Sequence, residues 1–427
     1  MDPDSRHKEK KDFSTAKYDY LLKNIWQVST NAIVIAIINL AFQIMMSRAL
    51  GPEQYGELQT LLTINTAVLF ALSAVCFIVT RFVSYYKTRQ QYDKMKYLAY
   101  WSFMFFFLVG FAAFAVNIIM SNIIASFLNM QDYTIIIVFG LLIWISFLMP
   151  IIEGILRGLQ EFRYVSKYKT LDASMILLVG VILLFTGINV KELLVGIVLA
   201  GAVTMIIAGL MLKKVYINKP YWINVKEIYK FAIPVFISCV IFALLANIDM
   251  IFVRHYFSAT MTGYYAAAGI LAKILLIVSF GTAGVMFPKI VEQFSDGKTK
   301  EIISTLRSTL KIFVAAGFLL TLAIAAFPDA ISHLVFGSQY TIGTMLSIYV
   351  MSTFFLSIVA VLMMYDLAVK KFQFIPVFVM AIIIEIFQIT KLHSTLYDIV
   401  WTLFVINILL LGFMIYYNKK ALFASFG

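Results

Sequence analysis

The feature that most constrains this chain is a succession of apolar runs, near residues 25–46, 58–80, 98–120, 134–156, 170–188, 193–212, 231–253, 262–287, 309–327, 342–364, 372–390 and 398–417. Each approaches the roughly 20 residues that a helix needs to cross about 30 Å of hydrocarbon. Backbone amides in hydrocarbon must bond within their own segment, and these runs are too long and continuous for the alternating strands of a barrel. They predict an all-α polytopic membrane protein of about twelve transmembrane helices. The eleventh run is the weakest, because Glu385 and Gln388 lie inside it. The chain is 62% hydrophobic and 13% charged, whereas soluble domains average about 45–50% apolar and about 25% charged.

A formal charge of +12 could suggest a nucleic-acid partner, but the placement of the charges argues against it. All but five of the 34 Lys and Arg fall in the N-terminal tail, in alternate connections, or at Lys419 and Lys420. Arg48, Lys191, Arg254 and Lys391 occupy the other face, and Lys273 lies inside a run. The positive-inside bias then predicts a multi-pass plasma-membrane protein with both termini cytoplasmic, and anionic membrane lipid as the partner of its basic loops. The first run is too long for a signal peptide and is expected to be retained.

Enzyme chemistry finds little support. Cys76 and Cys239 both fall within apolar runs, which leaves no disulfide framework. There is no glycine-rich phosphate loop, and the four His are isolated, so neither a cofactor nor a metal site is expected. The longest connections on the weakly charged face, "SNIIASFLNMQDYT" and "FPDAISHLVFGSQYT", carry one Asp each. Neither is a platform for acid–base catalysis, which points to a transporter rather than an enzyme.

The polar knot after the first run, "MMSRALGPEQYGELQ", has a partial counterpart in "NIDMIFVRHYFSATMTGYYAAAG", about 207 residues later. Basic exits follow the second and eighth runs at nearly the same offset. Two parallel six-helix lobes, related by a pseudo-twofold axis along the membrane normal, are therefore expected. The expected divisions are a cytoplasmic tail at 1–20, an N-lobe at 21–212, an amphipathic linker at 213–230, a C-lobe at 231–420 and a tail at 421–427.

Five stretches in order, "SRALGPEQYGELQ", "MPIIEGILRGLQEF", "NIDMIFVRHYF", "MFPKIVEQFSDGK" and "VFGSQYTIGTMLSI", resemble the polysaccharide biosynthesis flippases. These Wzx-like proteins belong to a larger group that also holds lipid II flippases and MATE exporters. The resemblance implies a flippase for an undecaprenyl-pyrophosphate-linked oligosaccharide. It also implies alternating access, proton or sodium as the coupling ion, and polysaccharide polymerase and glycosyltransferases as partners. A MATE-like drug or cation antiporter is one alternative, although Ile25–Met46 contains no acidic residue. A membrane-embedded polymerase or ligase is the other.

Candidate site residues follow from charge at depth. Lys273 lies near mid-depth of the eighth run, where a charge costs about 2.5–3.5 kcal/mol on insertion scales. It either pairs with Asp249 or meets substrate phosphate. Arg48 and Arg254 are candidate substrate-binding cations, Arg48 being equally suited to reach the headgroups. Asn31 and Asn39, with Asn65, either line a polar cavity or join helices. Glu153 and Arg157 are spaced as an i, i+4 pair. Asp366 and Glu385 either bond between helices or carry the coupling ion.

Overall fold

The computed structural model describes the backbone of residues 3–187, 189–212 and 226–423, and their side chains except at 3–30, 32 and 226–231. Most of the expected linker, residues 213–225, the side chains of the expected N-terminal tail and residues 424–427 lie outside the described residues.

Among the described residues the only regular structure is helical. In order the helices are α1 (Pro3–Thr88), α2 (Tyr92–Phe127), α3 (Tyr133–Gly158), α4 (Phe162–Thr186), α5 (Val190–Met211), α6 (Lys226–Leu245) and α7 (Ile248–Tyr256). They continue with α8 (Ala259–Ser295), α9 (Thr299–Ala326), α10 (Pro328–Phe336), α11 (Gly343–Ala368), α12 (Ile375–Lys391), α13 (Leu396–Tyr417) and α14 (Lys419–Phe423).

Among the described residues ten helical segments are long and apolar enough to cross a membrane, with α6 and α7 together counted as one. Two facts connect this number with the twelve expected spans. The segment Ile33–Thr88 has 56 residues and is broken at Gly51, whose φ of 68° and ψ of 173° suit a residue without Cβ. Pro52 follows and starts the next turn, where its missing N–H is not needed. The second fact concerns α12, which has only 17 residues and coincides with the weak eleventh run. Polar caps set other boundaries: Asn189 accepts from Glu192 N, Ser258 from Met261 N, and Thr395 and Asp398 form a reciprocal capping box.

The helices divide into two compact units that interleave along the chain. One comprises Met1–Met45, Val75–Ala115 and Gly140–Asn224; the other comprises Met46–Ala74, Val116–Phe139 and Val225–Gly427.

In the first unit α3 lies close against the second half of α1 through Gly154 and Gly158. A Cβ at Gly154 would stand 2.9 Å from Cys76 O, and one at Gly158 would stand 2.6 Å from Val83 Cβ. Thr80 Oγ1 donates to Gly154 O at 3.2 Å across this contact. Where lipid tails are as apolar as leucine, such small-residue contacts let backbones approach and gain dispersion energy. Trp144 packs against Phe107, Phe111 and Phe114, with its indole N–H donating to Phe107 O.

In the second unit α11 is the central post, buried at most of its 26 positions. Phe242, Phe313, Phe374 and Phe378 close around its Val359–Met364 stretch, together with residues of α8 and α13. Asn407 Nδ2 donates to Ser352 Oγ at 3.0 Å, a buried amide satisfied between helices. At the far end of α11, Asn418 Nδ2 donates to the fully buried Asp366 at 3.0 Å.

Candidate functional site

The seventh span is discontinuous. Helix α6 ends at Leu245 and α7 begins at Ile248, with Asn247 between them at φ −143° and ψ −8°. Asn247 Nδ2 donates to Ala243 O at 2.9 Å, while its Oδ1 accepts from Lys273 Nζ on α8 at 3.1 Å. Asp249 sits in the first turn of α7. Its Oδ2 accepts from the hydroxyls of Tyr265 on α8 and Tyr349 on α11, each at 2.6 Å, and its Oδ1 has no partner.

Glu385 on α12 is fully buried, and neither of its oxygens has a hydrogen-bond partner. Asp249 and Lys273 lie near enough to act on it electrostatically. Four helices, α7, α8, α11 and α12, together with the break before α7, therefore bring two carboxylates, one ammonium, one amide and two phenols together around a broken span.

The direct Asp249–Lys273 pair considered from the sequence does not form. The two side chains are not within ion-pair distance, because Asn247 takes the ammonium and two tyrosines take the carboxylate. With both acids ionised the cluster carries a net charge of −1, which in a low-dielectric interior favours uptake of one cation or one proton. Among the described residues no trio of His, Cys, Asp or Glu gathers as a metal site.

A second arrangement lies at the end of this unit opposite the basic loops. Arg254, only 1% exposed, makes an ion pair with Glu57 at 2.8 Å and donates to Asn129 O at 3.0 Å. Asn129 Nδ2 returns a bond to His255 O at 2.6 Å, and the His255 ring stacks on Phe127 at 4.2 Å. Arg48 Nη2 donates to Leu334 O at 2.6 Å, and Tyr340 Oη donates to Ser47 O at 2.9 Å. Burial raises the pKa of the Tyr340 hydroxyl, which keeps it a donor.

Here Gly56 and Gly263 stand backbone to backbone. A Cβ at Gly56 would lie 2.6 Å from Gly263 N, and one at Gly263 would overlap the Pro52 carbonyl. The knot after the first run is thus bolted to α7, the start of α8, α10 and the loop after α10. Arg48 and Arg254 are both engaged in these bonds.

In the first unit Glu153 accepts from Arg157 at 2.5 Å, Lys169 at 2.8 Å and Tyr168 at 3.1 Å. Asn31 joins α1 to α4, donating to Ser166 O at 3.2 Å and accepting from Thr170 Oγ1 at 2.9 Å. Asn39 is exposed. Asn65 lies in the second unit, apart from the other two.

Residues 21–294 match the family profile described as "Polysaccharide biosynthesis protein". The chain belongs to that family. A 165-residue stretch is 22% identical to the probable low-salt glycan biosynthesis flippase Agl15 of Haloferax volcanii, covering 39% of this chain and 35% of that protein. The matched stretch thus spans about a third of that relative.

Among solved structures, an inward-facing multidrug resistance MATE family transporter of the MOP superfamily superposes with a TM-score of 0.73 at 14% identity, covering 90% of this chain and 94% of that one. The lipid II flippase MurJ in an inward closed conformation gives 0.71 at 14% identity, covering 92% and 87%. These likenesses establish the fold, that of the multi-pass transporters and flippases. In this polysaccharide biosynthesis protein, reading the sequence alone singles out Lys273, Asp249 and Glu385 and offers an Asp249–Lys273 pair as one alternative, but does not join Glu385 to them. It missed Asn247, Tyr265, Tyr349 and Asn129, whose only signal was a polar side chain at or near a span.

Proposed function

We propose that the chain is a flippase for a lipid-linked oligosaccharide, joined through pyrophosphate to undecaprenol, which it turns from the cytoplasmic to the outer leaflet by alternating access. The observation that carries this reading is the family match over residues 21–294. A charged, sugar-bearing head cannot cross hydrocarbon unaided, whereas its prenyl tail need never leave it. The protein's task is to shelter the head while its two lobes change access. The N-lobe of 21–212 and the C-lobe of 231–420 are the moving parts in this scheme.

The cluster of Asp249, Lys273 and Glu385 supplies the coupling. Discontinuous spans are where transporters place ion sites, and the net charge of −1 suits one proton or one sodium ion. Loading that cation neutralises the cluster; losing it leaves a buried charge that favours the other conformation.

Translocation of a fluorescent undecaprenyl-pyrophosphate oligosaccharide in reconstituted vesicles tests the function. Depletion in cells should strand complete repeat units on the cytoplasmic leaflet. Units that instead appear outside but unpolymerised would transfer the role to a polymerase.

Orientation has a separate test. In a background lacking the two buried cysteines, single cysteines at the exposed Asn122 and Ser338 should react with an impermeant maleimide on intact cells. Cysteines at the exposed Glu161 and Ser295 should react only after lysis. The reverse pattern would invert the proposed topology.

A further inference from the structure

The first unit holds a cavity of about 660 Å³ between α1 and the opening turns of α4, lined by Asn31, Arg163, Ser166, Lys167, Thr170 and Ser174. Its volume lies within the roughly 300–1,000 Å³ usual for small-ligand sites. Alongside Leu171 and the aliphatic parts of the other side chains, two cations, three hydroxyls and an amide face the space. We infer that this cavity binds the phosphate-bearing head of a membrane lipid.

The floor is set in advance. Both ends of the Asn31 amide are used between α1 and α4, which fixes Thr170 and the Ser166 backbone. Among the described residues the hydroxyls of Ser166 and Ser174 have no partner and remain as donors. Above them Arg163 and Lys167 stand one helical turn apart, both exposed and, among the described residues, without a carboxylate partner. Like charges at this spacing repel, and an anion bridging them removes that repulsion.

The neighbouring acids do not neutralise the pair. Glu153 is already held by Arg157 and Lys169. Asp172 makes no ion pair with either cation among the described residues and lies nearer Thr204 and Lys169. Glu161 is an exposed cap residue whose side chain makes no cap bond. Arg163 and Lys167 together offer a fork and a point charge to a phosphate or pyrophosphate, and the first amides of α4 add a favourable dipole. A membrane-borne ligand suits the site because the cavity opens at the first turn of α4, itself a candidate span, which is the level of lipid headgroups.

The shared chemistry admits two sources, an anionic phospholipid and a polyprenyl pyrophosphate; only assignment to the second rests on the flippase reading. The full chain in phosphatidylcholine nanodiscs should bind radiolabelled farnesyl pyrophosphate, with farnesol as the uncharged control. Replacing both cations, Arg163→Gln with Lys167→Gln, should weaken binding on the order of thirtyfold. Exchanging them, Arg163→Lys with Lys167→Arg, should retain most of it, as should removing Lys419 and Lys420 elsewhere on the basic face. Thermal unfolding should be unchanged, because both side chains are exposed.

Doping the discs with phosphatidylglycerol separates the sources. Equal competition assigns the cavity to resident lipid, and retention of the pyrophosphate assigns it to substrate. Unchanged affinity in the double Gln variant, or farnesol binding as well as its pyrophosphate, overturns the inference. Because binding is read without translocation, a chain that binds but does not flip sinks the transport proposal and leaves the site standing.

Discussion

Gly263→Val is expected to part the start of α8 from the turn at Pro52 and to lower flipping at least tenfold. A Cβ at this position meets the Pro52 carbonyl and Cα, and a Cβ at the facing Gly56 meets Ala259 O and Gly263 N. All of these are backbone atoms, so no rotamer change relieves the overlap. Overpacking a filled contact costs about 1–3 kcal/mol, and an obstruction made of backbone belongs at the upper end. A bias of about 2–3 kcal/mol shifts a two-state equilibrium by about thirtyfold to more than a hundredfold.

The ion pair beside it is the weaker element. Glu57 is 24% exposed and can be hydrated if Arg254 is removed, whereas the two glycines have no such recourse. The reporter is a cysteine at the fully buried Leu58 in a background free of other cysteines. It should react slowly with maleimide in the parent and rapidly in Gly263→Val. Unchanged labelling together with undiminished transport would show that these backbones do not have to meet.

The parts of this design that are legible in sequence are those encoded by run length and by special residues. Each apolar run maps to a helix because hydrocarbon leaves the backbone no alternative, and "GP" after the first run produces the break at Gly51. The interruption of the seventh span was not legible. No Gly or Pro marks Ala246–Asn247, and the run is unbroken in hydropathy; only an asparagine satisfied by Ala243 O and Lys273 shows why the helix stops there.

Counting residues places Lys273 at mid-depth but does not give its direction around the helix, so the sequence leaves pairing with Asp249 and contact with substrate phosphate as alternatives and does not show Asn247 as its hydrogen-bond partner. The Gly154 and Gly158 contact follows a small-residue spacing visible in "EGILRG", although only packing shows which helix it meets. Arg163 and Lys167 looked purely topogenic, since nothing in a linear charge count distinguishes a loop cation from one at the mouth of a cavity.

Glu385→Gln should leave a folded, well-expressed protein that no longer responds to the coupling ion. Both Glu385 oxygens are buried without a hydrogen-bond partner, so the neutral isostere removes a buried charge that the fold does not use to hold itself together. The companion change Lys273→Met behaves differently. It removes the ammonium that offsets Asp249 and Glu385 and leaves two buried carboxylates without that nearby cation, which lowers stability.

Combining Lys273→Met with Glu385→Gln removes one charge of each sign and should recover most of that loss in thermal unfolding, while transport stays absent. Combining Lys273→Met with Asp249→Leu should not recover it. Asp249 Oδ2 already accepts from Tyr265 and Tyr349, and its removal leaves two buried hydroxyls unpaired at about 1–3 kcal/mol each.

The contrast between the two double variants therefore separates an electrostatic triad from a simple Asp249–Lys273 pair. Vesicles carrying a sodium gradient or a proton gradient, with flipping normalised to folded protein, provide the functional readout. The parent should be driven by one of the two gradients and Glu385→Gln by neither. A Glu385→Gln protein that flips at the parental rate and still follows the gradient would remove this cluster from coupling.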